Sequence, residues 1–326
     1  MTKKTISIVI PIFNEADNLG HLLSELEAVA QKITEDFDFD IGFVFIDDGS
    51  TDDSFDILKA YDFGARTTRL LRFSRNFGKE AALTAGIKAA EDADAAILMD
   101  ADLQHPPELI HEFIRIWQTE NADSVYAYKA SRRNSEGILK AALSRIFFWL
   151  INRDLRYEIT PGAGDFRLVN QQVMKALLSL PESDRFMKGL YGWVGFKQIG
   201  LPFTPLPRVR GKSHHNMLKL LSMTIAAITS FSTAPLRLTA LVGIVLALSS
   251  FIYGFYIVIE YFFFPGVPDG VASILTLIAF FGGIQLMFLG ILGEYIGKSV
   301  LEAKKRPIYI MAEEIHRGDN LSADRR

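Results

Sequence analysis

From the N-terminus, short apolar runs rich in β-branched residues alternate with longer stretches whose apolar positions recur every three or four residues. The runs SIVIPIF, IGFVFID, TRLLRFS, AAILMD and DSVYAY are predicted as strands. Between them the helical spacing predicts helices over about 15–33, 52–61, 78–91 and 106–119. Alternation of this kind is the pattern of an α/β fold with a mainly parallel sheet. In such sheets ligands bind beyond the carboxyl ends of the strands, so residues just after each strand are the first place to look for chemistry.

The pattern changes after residue 232. Up to 300, only Arg237, Glu260, Asp269, Glu294 and Lys298 are charged, and 238–259 and 270–293 carry no charge at all. At about 1.5 Å per helical residue, each stretch covers a hydrocarbon core of roughly 30 Å. They are predicted as transmembrane helices at about 238–262 and 270–296 within a 233–300 hairpin, with FFFPGVPDG as the turn. A pair of buried core helices is the alternative, and the missing polar stripe argues against it. Arg208, Arg210, Lys212, Lys219 and Arg237 precede the hairpin, Lys298, Lys304, Lys305 and Arg306 come after it, and the turn has only Asp269. Positive charge at the two outer ends puts a 1–215 domain, a 301–326 tail and both termini in the cytoplasm. The segments 138–152 and 216–232 are apolar stretches with a few cations, predicted as an interfacial and a juxtamembrane amphipathic helix, although core helices fit them too. The tail has mixed charge, and its last ten or so residues look disordered. Glycines along FGGIQLMFLGILGEYIG favour close helix packing and a homo-oligomer.

Composition narrows the chemistry. Half the chain is apolar (49%) and there is no cysteine, so disulfides, thiolate metal sites and Cys nucleophiles are excluded together. The net charge of -3 gives no basic field for nucleic acid. The G-x-G-x-x-G, P-loop, H-E-x-x-H and G-x-S-x-G patterns do not occur. His105, His214 and His215 lack the spacing of a zinc site.

The strand ends are acidic. The first predicted strand runs into Pro11, Phe13, Asn14 and Glu15, the second into Asp47 and Asp48, and the fourth into Asp100, Ala101, Asp102, Leu103, Gln104 and His105. Asn14, Glu15, Asp47 and Asp48 also suit helix capping. Carboxylates crowded at one sheet edge are costly without a cation. Asp100 and Asp102 are two apart in extended chain and share a side, and with the Gln104 amide they make an oxygen set suited to Mg²⁺ or Mn²⁺ with a nucleotide diphosphate.

The motifs PIFNE, DDGS, SRNFGKEAAL, MDADLQHPPE, GDFRL, RFMKGLYGWVGF and RVRGKS resemble the polyprenyl-phosphate glycosyltransferases of glycosyltransferase family 2, the bactoprenol glucosyltransferases and dolichyl-phosphate mannose synthases. The resemblance runs from about residue 5 to 300 and implies a GT-A fold. It further implies an inverting transfer of a sugar, glucose from UDP-glucose being the commonest bacterial case, to a membrane polyprenyl phosphate such as undecaprenyl phosphate in the bacterial inner membrane. By this resemblance Pro11, Phe13, Glu15 and Asp48 hold the nucleoside. Asp100, Ala101, Asp102 and Gln104 hold the diphosphate, with Asp100, Asp102 and Gln104 on the metal. Arg208 meets the donor phosphates, and Asp165 is the acidic residue near the reacting centre, as base, acceptor guide or charge stabiliser. Two positions depart from the family: His214 stands where lysine usually comes after the serine of RVRGKS, with Lys212 as the substitute, and Lys129 with Arg132 replaces Arg-x-x-Arg. Lys129, Arg132 and Lys212 are therefore the expected acceptor-phosphate ligands. A processive polysaccharide synthase would carry a Q-x-x-R-W motif, which is missing, and an idle scaffold would have no use for the acidic cluster.

Overall fold

The computed structural model describes residues 3–129, 163–204, 234–263 and 270–318. The chain divides into two compact units: one holds the N-terminal domain and the segment from Arg306 on, and the other holds the two long C-terminal helices.

The first unit is built on one eight-stranded sheet of order β7-β5-β6-β4-β1-β2-β3-β8. Its centre is parallel: β1 (Thr5–Ile12) pairs with β2 (Asp40–Asp47) and β4 (Ala95–Leu98), and β2 pairs with β3 (Thr68–Phe73). The connecting helices are α1 (Ala16–Phe37), α2 (Ser54–Ala60) and α3 (Lys79–Ala89), and α4 (Leu109–Thr119) leads to β5 (Ser124–Lys129). These are the predicted elements, with ends moved by a few residues. Helices cover both faces, which is why the central strands read as continuous apolar runs. Ile6, Ile8, Ile10 and Ile12 enter the main core, where α1 adds Leu19, Leu22, Leu23, Leu26, Ala30 and Ile33 at helical spacing. On the opposite face α3 lies so close to β1 and β2 that a Cβ on Gly86 would come within 2.2 Å of Val9 Cγ1.

Elements without a strand or helix expectation in the sequence complete the sheet. β6 (Ala163–Asn170) enters antiparallel between β4 and β5. Helices α5 (Gln171–Ser179) and α6 (Met187–Trp193) come next, and β7 (Gln198–Phe203) closes one edge parallel to β5. The other edge is closed from the far end of the chain, where β8 (Met311–Arg317) runs antiparallel to β3. Lys59 pairs with Glu313 at 2.9 Å, Arg317 donates to the carbonyls of Lys59 and Tyr61, and Tyr309 stacks on Phe73. The tail therefore contains the sheet's eighth strand; the alternating, half-exposed pattern of β8 on an edge left little hydrophobic signal in the sequence.

In the second unit, α7 (Ala234–Phe263) and α8 (Val271–Ala303) are apolar helices of 30 and 33 residues. Each is long and apolar enough to cross a membrane, over Leu238–Tyr256 and Thr276–Ala303, and neither window is buried. The Phe288 ring lies beside Gly243 where the two helices touch. The segments 138–152 and 216–232, the hairpin turn at 264–269, and Arg132, Arg208, Lys212 and His214 all lie outside the described residues.

Candidate active site

The carboxyl ends of β1, β2 and β4 open into one cavity of about 220 Å³. From the β1 end come Pro11, Phe13 and Glu15, from the β2 end Asp48, from β4 Asp100, Ala101 and Asp102, and from the start of α3 Lys79. Phe13 stands 44% exposed there and offers part of its aromatic face to the cavity. The Glu15 carboxylate accepts from the Asn18 side chain at 2.6 Å, while the Glu15 backbone N–H donates to Ser54.

The paired acids after β2 divide the work. Asp47 is fully buried: its Oδ1 accepts from the Ser50 N–H and its Oδ2 lies 3.3 Å from Arg72, so it builds the turn. Asp48 lines the cavity and its carboxylate accepts from the N–H groups of Phe77 (2.7 Å) and Gly78 (2.9 Å), which pins the loop ahead of α3. Burial pushes the Asp48 carboxyl above its ordinary range in spite of those two donors. Gly49, next in the chain, has φ +69°, and a Cβ there would come within 2.4 Å of the Arg75 carbonyl carbon. Only glycine allows that loop to pass.

After β4 the chain turns sharply. Leu103, buried, has φ 54°, a left-handed conformation that is costly for a large side chain and that occurs at functional sites more than elsewhere. The turn lets the Gln104 N–H donate to Asp102 Oδ1 at 3.1 Å and sends His105 inward, where its ring stacks on Phe166. Ligand atoms of Asp100, Asp102 and His105 then lie within 4.8 Å of one another. Two carboxylates and an imidazole fit one divalent cation. The buried Asp165 Oδ1 close by has no hydrogen-bond partner among the described residues, as expected at a site built for a ligand.

Asp165 comes near Asp100 because β4 and β6 are antiparallel with Leu98 opposite Arg167, which sets Asp165, two residues before Arg167, by the chain that leaves β4. Lys79 Nζ bridges them, 2.5 Å from Asp100 Oδ1 and 2.8 Å from Asp165 Oδ2. Burial alone would raise the Asp165 carboxyl, but Lys79, Lys188 and Arg167 outweigh it and hold the group below its usual range. Burial would lower the Lys79 ammonium, and the two carboxylates outweigh that and push it up. Beside them Glu80 accepts from the Met187 N–H at 3.1 Å, and burial with the Asp165 charge pushes it up to about 7. Arg167 does not pair with Asp165 through a hydrogen bond: its guanidinium lies 3.5 Å over the Tyr191 ring and donates to the Gly164 carbonyl.

Of the residues expected from the sequence, Pro11, Phe13, Glu15, Asp48, Asp100, Ala101 and Asp102 come together around one cavity, with Asp165 joined to Asp100 through Lys79. Lys129 ends β5, and Arg132, Arg208 and Lys212 lie outside the described residues. Lys79, Glu80 and His105 were missed as site residues. The run SRNFGKEAAL contains the first two, but nothing local places them beside an acid on β6; for His105 the available clue is its place directly after DADLQ.

An α/β sheet with an acid-floored cavity at its carboxyl edge and an apolar helix pair after it defines a GT-A-type domain joined to a helical hairpin. Residues 7–178 match the glycosyl transferase family 2 pattern, and residues 234–299 match the GtrB C-terminal hairpin. The chain is 38% identical over 310 residues to the prophage bactoprenol glucosyl transferase homolog of Escherichia coli K12, covering 94% of this chain and 98% of that one. It is 39% identical over 318 residues to the bactoprenol glucosyl transferase of Shigella phage SfII, covering 96% and 99%. An uncharacterized glycosyltransferase of Synechocystis is 39% identical over 308 residues, covering 94% and 95%. The chain belongs to glycosyl transferase family 2 and is a glycosyltransferase.

Proposed function

We propose that this enzyme transfers glucose from UDP-glucose to undecaprenyl phosphate, with inversion, at the cytoplasmic face of a bacterial inner membrane, giving a polyprenyl-phosphate sugar for glycan modification. The observation that carries the reading is the cavity that gathers Phe13, Asp48, Asp100 and Asp102, in a chain whose likeness to bactoprenol glucosyl transferases spans catalytic domain and hairpin together.

In this reading Phe13 stacks on the base, while Pro11, Glu15 and Asp48 hold the nucleoside. Asp100, Ala101, Asp102 and Gln104 face the diphosphate, joined by Arg208. Asp100 and Asp102, with Gln104 or His105, would hold Mg²⁺ or Mn²⁺, which when bound supplies charge neutralisation to the departing diphosphate. Lys129, Arg132 and Lys212 orient the lipid phosphate. That phosphate is already ionised at neutral pH, so its oxygen attacks the anomeric carbon as the bond to the diphosphate breaks, and the electron pair leaves with the nucleotide. Positioning and charge stabilisation then carry the rate more than a strong base does. Asp165 guides the acceptor and faces the positive charge that develops on the sugar.

Two further features support a two-span membrane enzyme with both termini in the cytoplasm. The chain before the helix pair and the chain from Arg306 on both belong to the first unit. Cations flank that pair, and the glycines of α8, including Gly290 and Gly293, face open space suited to a second copy.

The test is transfer from a panel of radiolabelled UDP- and GDP-sugars to undecaprenyl phosphate in detergent, with Mn²⁺ or EDTA and with Asp102→Ala. One labelled lipid, from UDP-glucose only and lost with EDTA and with Asp102→Ala, is expected. A lipid product from another donor corrects the sugar. No lipid product from any donor overturns the reading, and absence of nucleotide-sugar binding as well favours the scaffold.

A further inference from the structure

Lys79 is the first residue of α3, and the loop that leads into it is held in place. Asp48 accepts from the N–H groups of Phe77 and Gly78, and Gly49 lets the preceding loop pass over the β2 end. From this fixed root the ammonium reaches Asp100 Oδ1 and Asp165 Oδ2 at 2.5 and 2.8 Å. Its two partners differ in setting: the Asp100 side chain is 26% exposed and belongs to the cluster with Asp102 and His105, whereas that of Asp165 is 6% exposed. The Lys79 side chain itself is 43% exposed and lines the cavity, so it has room to turn. Without a positive charge between them, these carboxylates would repel across a partly dry site.

We propose that Lys79 is a resident counter-ion that competes with the divalent cation for Asp100: when the cation enters, the ammonium gives up Asp100 and keeps Asp165. The proposal deepens the sugar-transfer reading and rests on it for the nucleotide diphosphate donor and for the role of Asp165 toward the acceptor. The exchange also sets the order of binding. A bare cation must displace an ammonium from one of its carboxylate ligands, and so binds weakly. A nucleotide diphosphate brings its own negative charge, which favours the incoming cation and offers the released ammonium another anion. The cation then enters with the donor rather than ahead of it, and the empty site remains electrostatically balanced between turnovers. Because only one of the two carboxylates changes partner, Asp165 stays ionised and oriented throughout.

The experiment is Mn²⁺ titration of the full-length protein in detergent without nucleotide, following free Mn²⁺ by electron paramagnetic resonance. Lys79→Met is expected to bind Mn²⁺ about tenfold tighter than the natural protein, since Asp100 is no longer shared. Lys79→Arg keeps the charge and is expected to stay within about threefold of the natural affinity. In transfer assays Lys79→Met is expected to lose about a hundredfold in kcat with a smaller change in the KM for donor, and Lys79→Arg to recover part of it. Mn²⁺ binding that is unchanged or weaker in Lys79→Met overturns the proposal. A merely structural lysine would give that result. Where Lys79→Met does not fold, Lys79→Gln removes the charge while keeping a donor, and is read the same way. Tighter Mn²⁺ binding in Lys79→Met, with no transfer from any donor by the natural protein, supports the counter-ion and overturns the sugar-transfer reading; unchanged Mn²⁺ binding in Lys79→Met, with normal transfer by the natural protein, overturns the counter-ion alone.

Discussion

Glu80 carries a pH signature distinct from that of its neighbours. It titrates near its ordinary 4.5 in the unfolded chain, but burial and the Asp165 charge push it up to about 7 in the folded one. The folded state therefore binds a proton more tightly, and the stability this contributes is complete below about 4.5 and lost as pH rises through about 7. Glu80→Gln is expected to flatten the fall in Tm from mildly acid to mildly alkaline pH, read by thermal denaturation of the detergent-solubilised protein at several pH values. Its amide oxygen can still accept from Met187, so the packing is retained. Asp165→Asn addresses the other member of the pair. Under the proposed function, in which residues after β1, β2 and β4 hold the nucleotide, it is expected to lower kcat by about a hundredfold while nucleotide affinity changes less than about threefold. Loss of nucleotide binding in the same variant would make Asp165 a scaffold residue instead. The acids at three strand ends were legible in the sequence because each comes directly after an apolar run. Lys79 and Glu80 were not, because their significance comes from Asp165, which is brought to them by strand pairing that no local pattern states.

At the scale of elements, the parallel core was written in the chain: alternating runs and helical spacings, with α1 burying the apolar positions that its period selects. Beyond β5 the signal weakened, since β6, β7 and β8 are short, mixed or half-exposed. The Gly49 turn shows how an element can depend on one residue. Gly49→Ala meets both an unfavourable φ and a backbone 2.4 Å away, and is expected to cost about 2 kcal/mol or more and to weaken nucleotide binding by displacing the loop that Asp48 pins. Thermal denaturation and nucleotide titration of the same preparation check both effects. The β8 strand is expected to matter as much. Truncation after Arg306 removes the partner of β3, the Lys59–Glu313 pair and the Tyr309 stack on Phe73. The bared edge presents unpaired N–H and C=O groups, so a Tm lower by several degrees and a greater tendency to aggregate are expected in light-scattering melts.

At the scale of the molecule, absence of cysteine turns topology into a direct measurement. Under the proposed topology, Asp269→Cys, between the two apolar stretches of the sequence, is expected to react with a membrane-impermeant maleimide from outside intact spheroplasts, and Ser322→Cys only after lysis or in inverted vesicles. The opposite pattern would reverse the orientation. Taken alone, the sequence determined the α/β class, the acidic strand ends, the two long apolar helices and the family motifs. These are properties of neighbouring residues, and periodicity, charge and spacing express them directly. Only the tertiary structure decided that β6 lies between β4 and β5, that the far end of the chain closes the sheet as β8, and that a lysine of α3 joins the acid after β4 to the acid on β6. Those facts depend on which strands pair and in what register, and pairing is settled by the burial of whole faces against one another. No stretch of sequence holds that information by itself.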